Sequence, residues 1–454
     1  MKIFKTIKSP IIFPIIFFML IILIGSILLH LSENSNKESL SWTDSIFTAT
    51  SAACVTGLTV VDTGSCFTMF GKVIILCLIQ AGGLGIMTFT SLSIYLWKRR
   101  TTITDRIAVG QILLYDPKFK LGKFLIEIVV WTFIIEVTGA ALLYIMVPKA
   151  FTPFSAIFHS VSAFCNAGFS LFSNSLIDWK GDWSVGIVFI ILIIVGGIGF
   201  SVFIEFKNAV VRIFKLGPHN QTLRISWNAK TVVLTSFFLI MFGWVSIYFA
   251  EFVGCHRTMV LDDAILTALF QSVSSRTAGF NTLNIGQLTN VSLVILLFLM
   301  FIGGAPGSCA GGIKVTTFRL LVGSIWSQLK GKKQVVIGRF AASETAVKKA
   351  MVLFVLAILI VFIAVFLLDF TEGGNRPHYQ VRGQFLEILF ESVSAFSTVG
   401  LSTGLTSALS VPGKWIIIFL MCIGRLGPFV LINALQSVQE IQVYHLPEEN
   451  LPIG

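Results

Sequence analysis

Long apolar runs alternate with short polar or basic stretches along the chain, and they come in pairs. Runs at 11–31, 124–147, 231–253 and 351–370 each open a pair, and runs at 73–97, 185–206, 291–322 and 415–435 each close one. Crossing a bilayer takes about 20 apolar residues as a helix, so each run is read as a membrane span. Between the two members of every pair lies a segment that fits neither span nor ordinary loop. The first, "SAACVTGLTVVDTG" at 51–64, is small, polar and centred on a glycine.

That segment recurs. "FTATSAACVTGL" from Phe47, "FHSVSAFCNAGF" from Phe158, "FQSVSSRTAGF" from Phe270 and "FESVSAFSTVGL" from Phe390 share a phenylalanine, a serine and a closing glycine. The glycines Gly57, Gly168, Gly279 and Gly400 stand 111, 111 and 121 residues apart, and the third copy is one residue shorter between its Phe and its Gly. Fixed-period self-similarity marks a repeated structural unit. Four units follow: 1–100, 101–225, 226–330 and 331–454, each a span, a short amphipathic helix, a glycine turn and a second span. The short helices are expected at 45–54, 153–165, 262–276 and 383–397.

Composition settles the medium. The chain is 55% hydrophobic and only 12% charged, about half the charged share of a soluble protein. The first run follows Lys2, Lys5 and Lys8 but is longer than the ~7–15 residues of a signal-peptide core, so it is read as a retained span. Basic residues fall in alternate loops: at the N-terminus, from Lys98 to Lys123, from Lys207 to Lys230 and from Lys330 to Lys349. By the positive-inside rule these loops, and both termini, are cytoplasmic in the cell's inner or plasma membrane. The net charge of +11 is thereby explained by topology, with no nucleic-acid partner. Since each unit crosses twice, the glycine segment must enter and leave the membrane on the outer face.

Irregular backbone at membrane depth is tolerated only where it is buried in protein or lines a watery cavity. Four equivalent re-entrant loops can surround one axis, and a ring of backbone carbonyls can replace the hydration shell of a cation such as K+. The candidate filter is Val55, Thr56, Gly57 and Leu58; Asn166, Ala167, Gly168 and Phe169; Thr277, Ala278, Gly279 and Phe280; and Thr398, Val399, Gly400 and Leu401. None of these carries a charged side chain, so selection must come from main-chain oxygens, with Thr56, Asn166, Thr277 and Thr398 in support. The fold class is all-α integral membrane: four fused helix–pore loop–helix repeats around one pseudo-fourfold pore, like a potassium channel.

"SAACVTGLTVVDTG", "HSVSAFCNAGFS", "QSVSSRTAGFNT", "GGAPGSCAGGIKVTT" and "GRLGP" together resemble the Trk, Ktr and HKT potassium transporter superfamily, over nearly the whole chain. With one span before the first pore loop and a short tail, "HLPEENLPIG", the chain is most similar to the Ktr-type membrane subunit. The resemblance implies potassium uptake by a homodimer seated on a cytosolic octameric ring of nucleotide-binding regulatory subunits. The nucleotide would then belong to the partner, and no cofactor to this chain.

Two features suggest a gate. Gly303, Gly304, Ala305, Pro306, Gly307, Ser308, Ala310, Gly311, Gly312 and Lys314 interrupt the third unit's second span. A phosphate-binding loop would need Lys and Ser/Thr directly after the second glycine, but "IKV" follows Gly312. The family places a gating loop here. Arg425, deep in "IIIFLMCIGRLGPFVLINAL", should face the bundle interior, raise a barrier to cations and anchor that loop. Arg276 and Glu391, in the third and fourth pore helices, are expected to brace the filter.

The seven cysteines have no metal-ligand spacing and the six histidines are scattered, so no enzyme chemistry is expected. An inverted-repeat, sodium-coupled carrier would need halves of opposite topology, whereas these four units share one orientation. A sodium-selective member of the same architecture stays open.

Overall fold

The structure, a computed structural model, describes residues 12–32, 40–85, 121–216, 225–254, 259–374, 377–381 and 383–427. The expectations for the first lysines, the basic stretch from Lys98 to Lys120 and the tail after Gly427 lie outside these residues.

Each repeat opens with an apolar helix: α1 (Ile12–Leu31), α4 (Leu121–Met146), α8 (Trp227–Tyr248) and α12 (Glu344–Leu368). These sit on the outside. The most apolar stretch of α12 has a mean hydropathy of 3.5, yet only 28% of it is buried in protein. Side chains such as Phe133, Phe237, Phe238, Phe362 and Phe366 are more than half exposed. A surface of that kind is stable only against lipid chains.

A short pore helix follows in each repeat: α2 (Trp42–Ala53), α5 (Pro153–Phe164), α9 (Leu261–Ser274) and α13 (Gln384–Phe396). Local signals fix two of their starts, where Ser41 caps α2 through the Asp44 amide and Thr152 caps α5 ahead of Pro153. An N-cap acceptor satisfies one of the four amides a helix start leaves free. The repeat phenylalanines Phe47, Phe158, Phe270 and Phe390 are fully or almost fully buried, which explains their place in the motif.

The second helices are α3 (Met69–Gly83), α6 (Trp183–Ile198), α10 (Asn290–Phe301) and α14 (Val411–Leu426), capped by Thr68, Asp182, Thr289 and Ser410. In repeats three and four the outer helix ends in a π-turn, Phe249–Val253 or Asp369–Gly373, whose glutamate reaches that cap. Glu251 accepts from Thr289 N and Oγ1 at 2.8 Å, and Glu372 accepts from Ser410 Oγ at 2.5 Å. A carboxylate at a helix N-terminus also meets the positive end of its dipole.

The second helices pack on the pore helix of the next repeat: α3 on α5, α6 on α9, α10 on α13, and α14 back on α2. The repeats therefore close into a ring. A 2.7 Å ion pair from Lys414 on α14 to Asp44 on α2 marks the closure, with both side chains about one-sixth exposed.

One expectation needs correction. The run 185–206 is not a single span: α6 stops at Ile198, and α7 (Phe200–Leu216) leaves at 105° to it. The other second helices are also short. They hold 15, 16, 12 and 16 residues, or about 18–24 Å at ~1.5 Å per residue, short of the ~30 Å hydrocarbon core. In repeat three the chain resumes as α11 (Val315–Leu329), and a two-stranded ribbon, β1 (Val336–Ile337) and β2 (Phe340–Ala341), leads into α12. The remainders of runs 73–97 and 415–435 lie outside the described residues.

Removing one partner of the Lys414–Asp44 pair should destabilise the ring closure by roughly 3–5 kcal/mol, because a largely buried charge is left alone. Asp44→Leu or Lys414→Leu should each lower the melting temperature in detergent, and the double variant should recover most of the loss. Additive losses would show that the pair does not close the ring.

Candidate ion-conduction site

Each pore helix ends in the same turn. The residue two before the filter glycine is left-handed at all four positions: Val55 (φ 56°), Asn166 (58°), Thr277 (74°) and Thr398 (50°). The glycines are left-handed too, at 91°, 69°, 77° and 90°. A left-handed non-glycine costs about 1–2 kcal/mol, so four of them at one position imply a shared constraint. With the sign of φ alternating along each limb, successive carbonyls turn to one side, where a plain strand would send them alternately to both.

The motif serine holds this turn. Gly57 N donates to Ser51 Oγ (3.2 Å) and Gly400 N to Ser394 Oγ (3.1 Å). Ser162 Oγ donates to Phe169 O at 2.7 Å, and Ser274 Oγ donates to Phe280 O. All four serines stand four residues after the repeat phenylalanine. The residue missing from the third copy is therefore lost after Ser274, where the amides of Ala278 and Gly279 both bond to Ser274 O.

The limbs meet in a cycle. A Cβ built on Gly57 would lie 2.4 Å from Ala167 O, one on Gly168 2.9 Å from Ala278 O, one on Gly279 2.3 Å from Val399 O, and one on Gly400 2.1 Å from Thr56 O. Every glycine thus abuts the carbonyl just before the next repeat's glycine, and the fourth returns to the first. Only a residue without a side chain permits that approach. The pore helices also direct their C-terminal, partly negative ends at the ring, which favours a cation there. The hydroxyls of Thr56, Thr277 and Thr398 are buried and have no partner among the described residues. Thr56 stands one position nearer its glycine than Asn166, Thr277 and Thr398, so Val55 is their true equivalent.

Below the ring lies the loop between α10 and α11. Its neck is closed by Gly303 N to Ile313 O (2.8 Å) and Val315 N to Gly304 O (3.1 Å), and Lys314 Nζ donates to Ala310 O at 2.6 Å. A Cβ on Gly311 would fall 2.1 Å from Thr398 Oγ1, so the loop presses directly on the fourth limb. It also bonds to the α6–α7 break: Ala305 N to Gly197 O (3.0 Å), Cys309 N to Gly196 O (3.3 Å) and Phe200 N to Gly307 O (3.0 Å). The break and the loop satisfy each other's backbone, as irregular chain in a membrane must.

Arg425 spans the site, donating from one nitrogen to Cys309 O in the loop and from the other to Gly82 O at the end of α3. It occupies the place held by Gly83, Gly197 and Gly304 in the other repeats. Arg276 bonds Ser236 O and Oγ at 3.2 Å and Gly303 O at 3.4 Å, bracing the loop's neck against α8 rather than meeting Glu391. The cations at 276, 314 and 425 therefore rest on carbonyl and hydroxyl oxygens, and among the described residues none of them forms an ion pair.

A profile of the TrkH family, described as cation transport proteins, matches residues 6–439. The Ktr system potassium uptake protein B of Bacillus subtilis is 37% identical over 94% of this chain and 93% of its own length. That of Vibrio alginolyticus is 36% identical over 96% and 93%. The potassium/sodium uptake protein NtpJ of Enterococcus hirae is 32% identical over 96% and 95%. The crystal structure of the potassium transporter TrkH from Vibrio parahaemolyticus superposes with a TM-score of 0.69 over 92% of this chain and 84% of that one, at 21% identity. The chain belongs to the Trk/Ktr family of membrane transporters. It is a transport protein, not an enzyme, and its all-α fold is the family's.

Within that family fold, the glycines in the middle of each second span, visible in the sequence as "GGLG", "GGIG" and "GRLG", turn out to seat the pore helices. Cβ atoms on Gly82, Gly196 and Gly424 would lie 2.0, 1.8 and 1.8 Å from Ala53 O, Phe164 O and Phe396 O, the last carbonyls of their own pore helices. The signal was the repeated "GGLG", "GGIG" and "GRLG", whose final glycines, at 85, 199 and 427, all have positive φ. That spacing marks a break, not a packing stripe.

The ring distances rank the cost of a methyl group. Overpacking of this kind costs roughly 1–3 kcal/mol. Alanine at Gly400 should lower the melting temperature most, Gly279 and Gly57 should follow, and Gly168 least. A flat or inverted ranking would mean that the limbs do not meet edge to edge.

Proposed function

We propose that this chain is the membrane subunit of a potassium-uptake system. K+ sheds its water into the oxygens of the limbs at 55–58, 166–169, 277–280 and 398–401, and passes inward past a gate formed by loop 303–314 and Arg425. The observation that carries the reading is the closed cycle of glycine-to-carbonyl contacts among limbs without charged side chains. Such a ring binds a bare monovalent cation by main-chain dipoles alone. The names of the Bacillus and Vibrio relatives, potassium uptake proteins of a Ktr system, support potassium as the ion.

The same relatives support a subunit that works with other components: a second copy of this chain, and a cytosolic octameric ring of nucleotide-binding regulatory subunits. Both termini and the basic loops face that ring. No cofactor is assigned to this chain. A second reading, in which sodium also permeates, is favoured by the Enterococcus relative, named a potassium/sodium uptake protein.

Uptake of K+ and Na+ in a bacterium lacking its own potassium uptake, with and without the regulatory partner, tests the assignment. Growth rescue and K+ uptake are expected, and uptake of neither ion would overturn it. Gly57→Ser drives a side chain toward Ala167 O, only 2.4 Å from the added Cβ. It should lower the K+ preference over Na+ by about tenfold, equivalent to ~1.4 kcal/mol; an unchanged ratio would remove Gly57 from the ion path.

Arg425 combines a positive charge with the two carbonyl bonds that tie the loop to α3. Arg425→Ala should raise K+ flux at least several-fold, by lowering the electrostatic barrier and freeing the loop. Flux that falls at equal protein in the membrane would contradict a barrier role.

A further inference from the structure

The residue directly after each repeat phenylalanine is polar and buried: Thr48, His159, Gln271 and Glu391. Three of the four perform one task. Each reaches across its repeat to the outer half of the filter limb and accepts the backbone amide three residues beyond the filter glycine. His159 Nε2 accepts from Leu171 N at 3.2 Å, while its Nδ1 meets Ser155 O at 2.7 Å, which fixes the neutral tautomer with the proton on Nδ1. With its amide oxygen turned toward the donors it faces, Gln271 accepts from Thr282 N (2.9 Å) and Leu283 N (3.2 Å). Glu391 accepts from Thr403 N (3.0 Å), Ser402 Oγ (2.5 Å) and Thr406 Oγ1 (2.6 Å).

The first repeat breaks the pattern. Its equivalent amide is that of Val60, and the equivalent side chain, Thr48, is too short to cross. The Thr48 hydroxyl is buried without a partner among the described residues. An imidazole, an amide and a carboxylate doing one job at one position show that the task is to present an acceptor of sufficient reach. Charge is not the requirement.

We propose that His159, Gln271 and Glu391 are positioning residues for ion selection, and that the first limb is the one left unpinned from behind. The proposal rests on the reading of the ring as the ion path. A cage of carbonyls discriminates between ions of different size only as far as its limbs resist moving inward, and a buried acceptor on the amide of each outer limb supplies that resistance. Three limbs are held both by their neighbours in the ring and by this tether. Among the described residues, the first is held by the ring and by Ser51.

The test is the K+/Na+ uptake ratio, measured beside the amount of protein in the membrane. Glu391→Ala should lower the ratio by about tenfold, the scale set by leaving buried donors without their acceptor. Glu391→Gln should stay within about twofold of the parent, since an amide oxygen does this work in repeat three. Thr48→Ala should leave the ratio unchanged. Should Glu391→Ala fail to reach the membrane, Gln271→Met, close in shape but without the acceptor, carries the same expectation. A purely structural role would alter protein amount and leave the ion ratio alone, and that result would overturn the proposal. So would a Thr48→Ala effect as large as that of Glu391→Ala, or failure of the Gln variant to rescue. If Gly57→Ser shifts the ratio while the tether variants do not, the ion path stands and only the tether role falls.

Discussion

The structure depends on a contact that only glycine allows: the α-carbon of one filter limb against the carbonyl of the next, repeated until the fourth limb meets the first. In a membrane no water is at hand to absorb a misplaced backbone group, so four irregular limbs persist only if their neighbours hold them. The geometry then explains the rest of the motif. The buried phenylalanine anchors the pore helix, and the serine four residues later ties the turn. Four left-handed residues are the local cost of facing carbonyls inward. None of these contacts selects an ion by itself. Together they fix the distance between the oxygens of facing limbs.

The second constraint lies one layer deeper. All four second helices are too short to cross the membrane alone, and each helix end leaves backbone groups that need partners. Repeats two and three solve this jointly, because the loop after α10 donates to the carbonyls freed where α6 gives way to α7, and accepts from Phe200. The loop is therefore held by hydrogen bonds to the α6–α7 break, not by its own sequence neighbours alone. Arg425 adds a link to α3, so one side chain joins repeats one, three and four.

Much of this was legible in the sequence because the chain repeats itself. The glycine period, the Phe and Ser offsets and the paired spans pointed to a repeated helix–loop–helix unit and to the four glycines that meet in the ring, and the family comparisons bear out the all-α fold they implied. What escaped was whatever depends on contacts between repeats. Run 185–206 is uniformly apolar, so hydropathy could not reveal the turn at Gly199; only its φ of 94° and its bonds to the loop do. The one-residue deletion in the third copy was visible, but its location after Ser274 needed the hydrogen bonds. Glu391 stood out as a buried charge, while Gln271 and His159, at the same place in their repeats, did not, because one neutral polar residue carries little signal alone.

The departures from fourfold symmetry are the most informative features. Where three repeats carry glycine, the fourth carries Arg425. Where three tether their outer limb, the first has Thr48. Where the other second helices end at a glycine of positive φ, the third opens into a loop. A homotetramer could not distribute these changes, since every substitution would appear four times. Four guanidinium groups beneath one filter would oppose cation passage far more strongly than one. Fusing the units lets Arg425 and a single loop sit on one side of an otherwise even ring. The cost is uneven stiffness, and the limb most free to yield is the one that Gly57 closes.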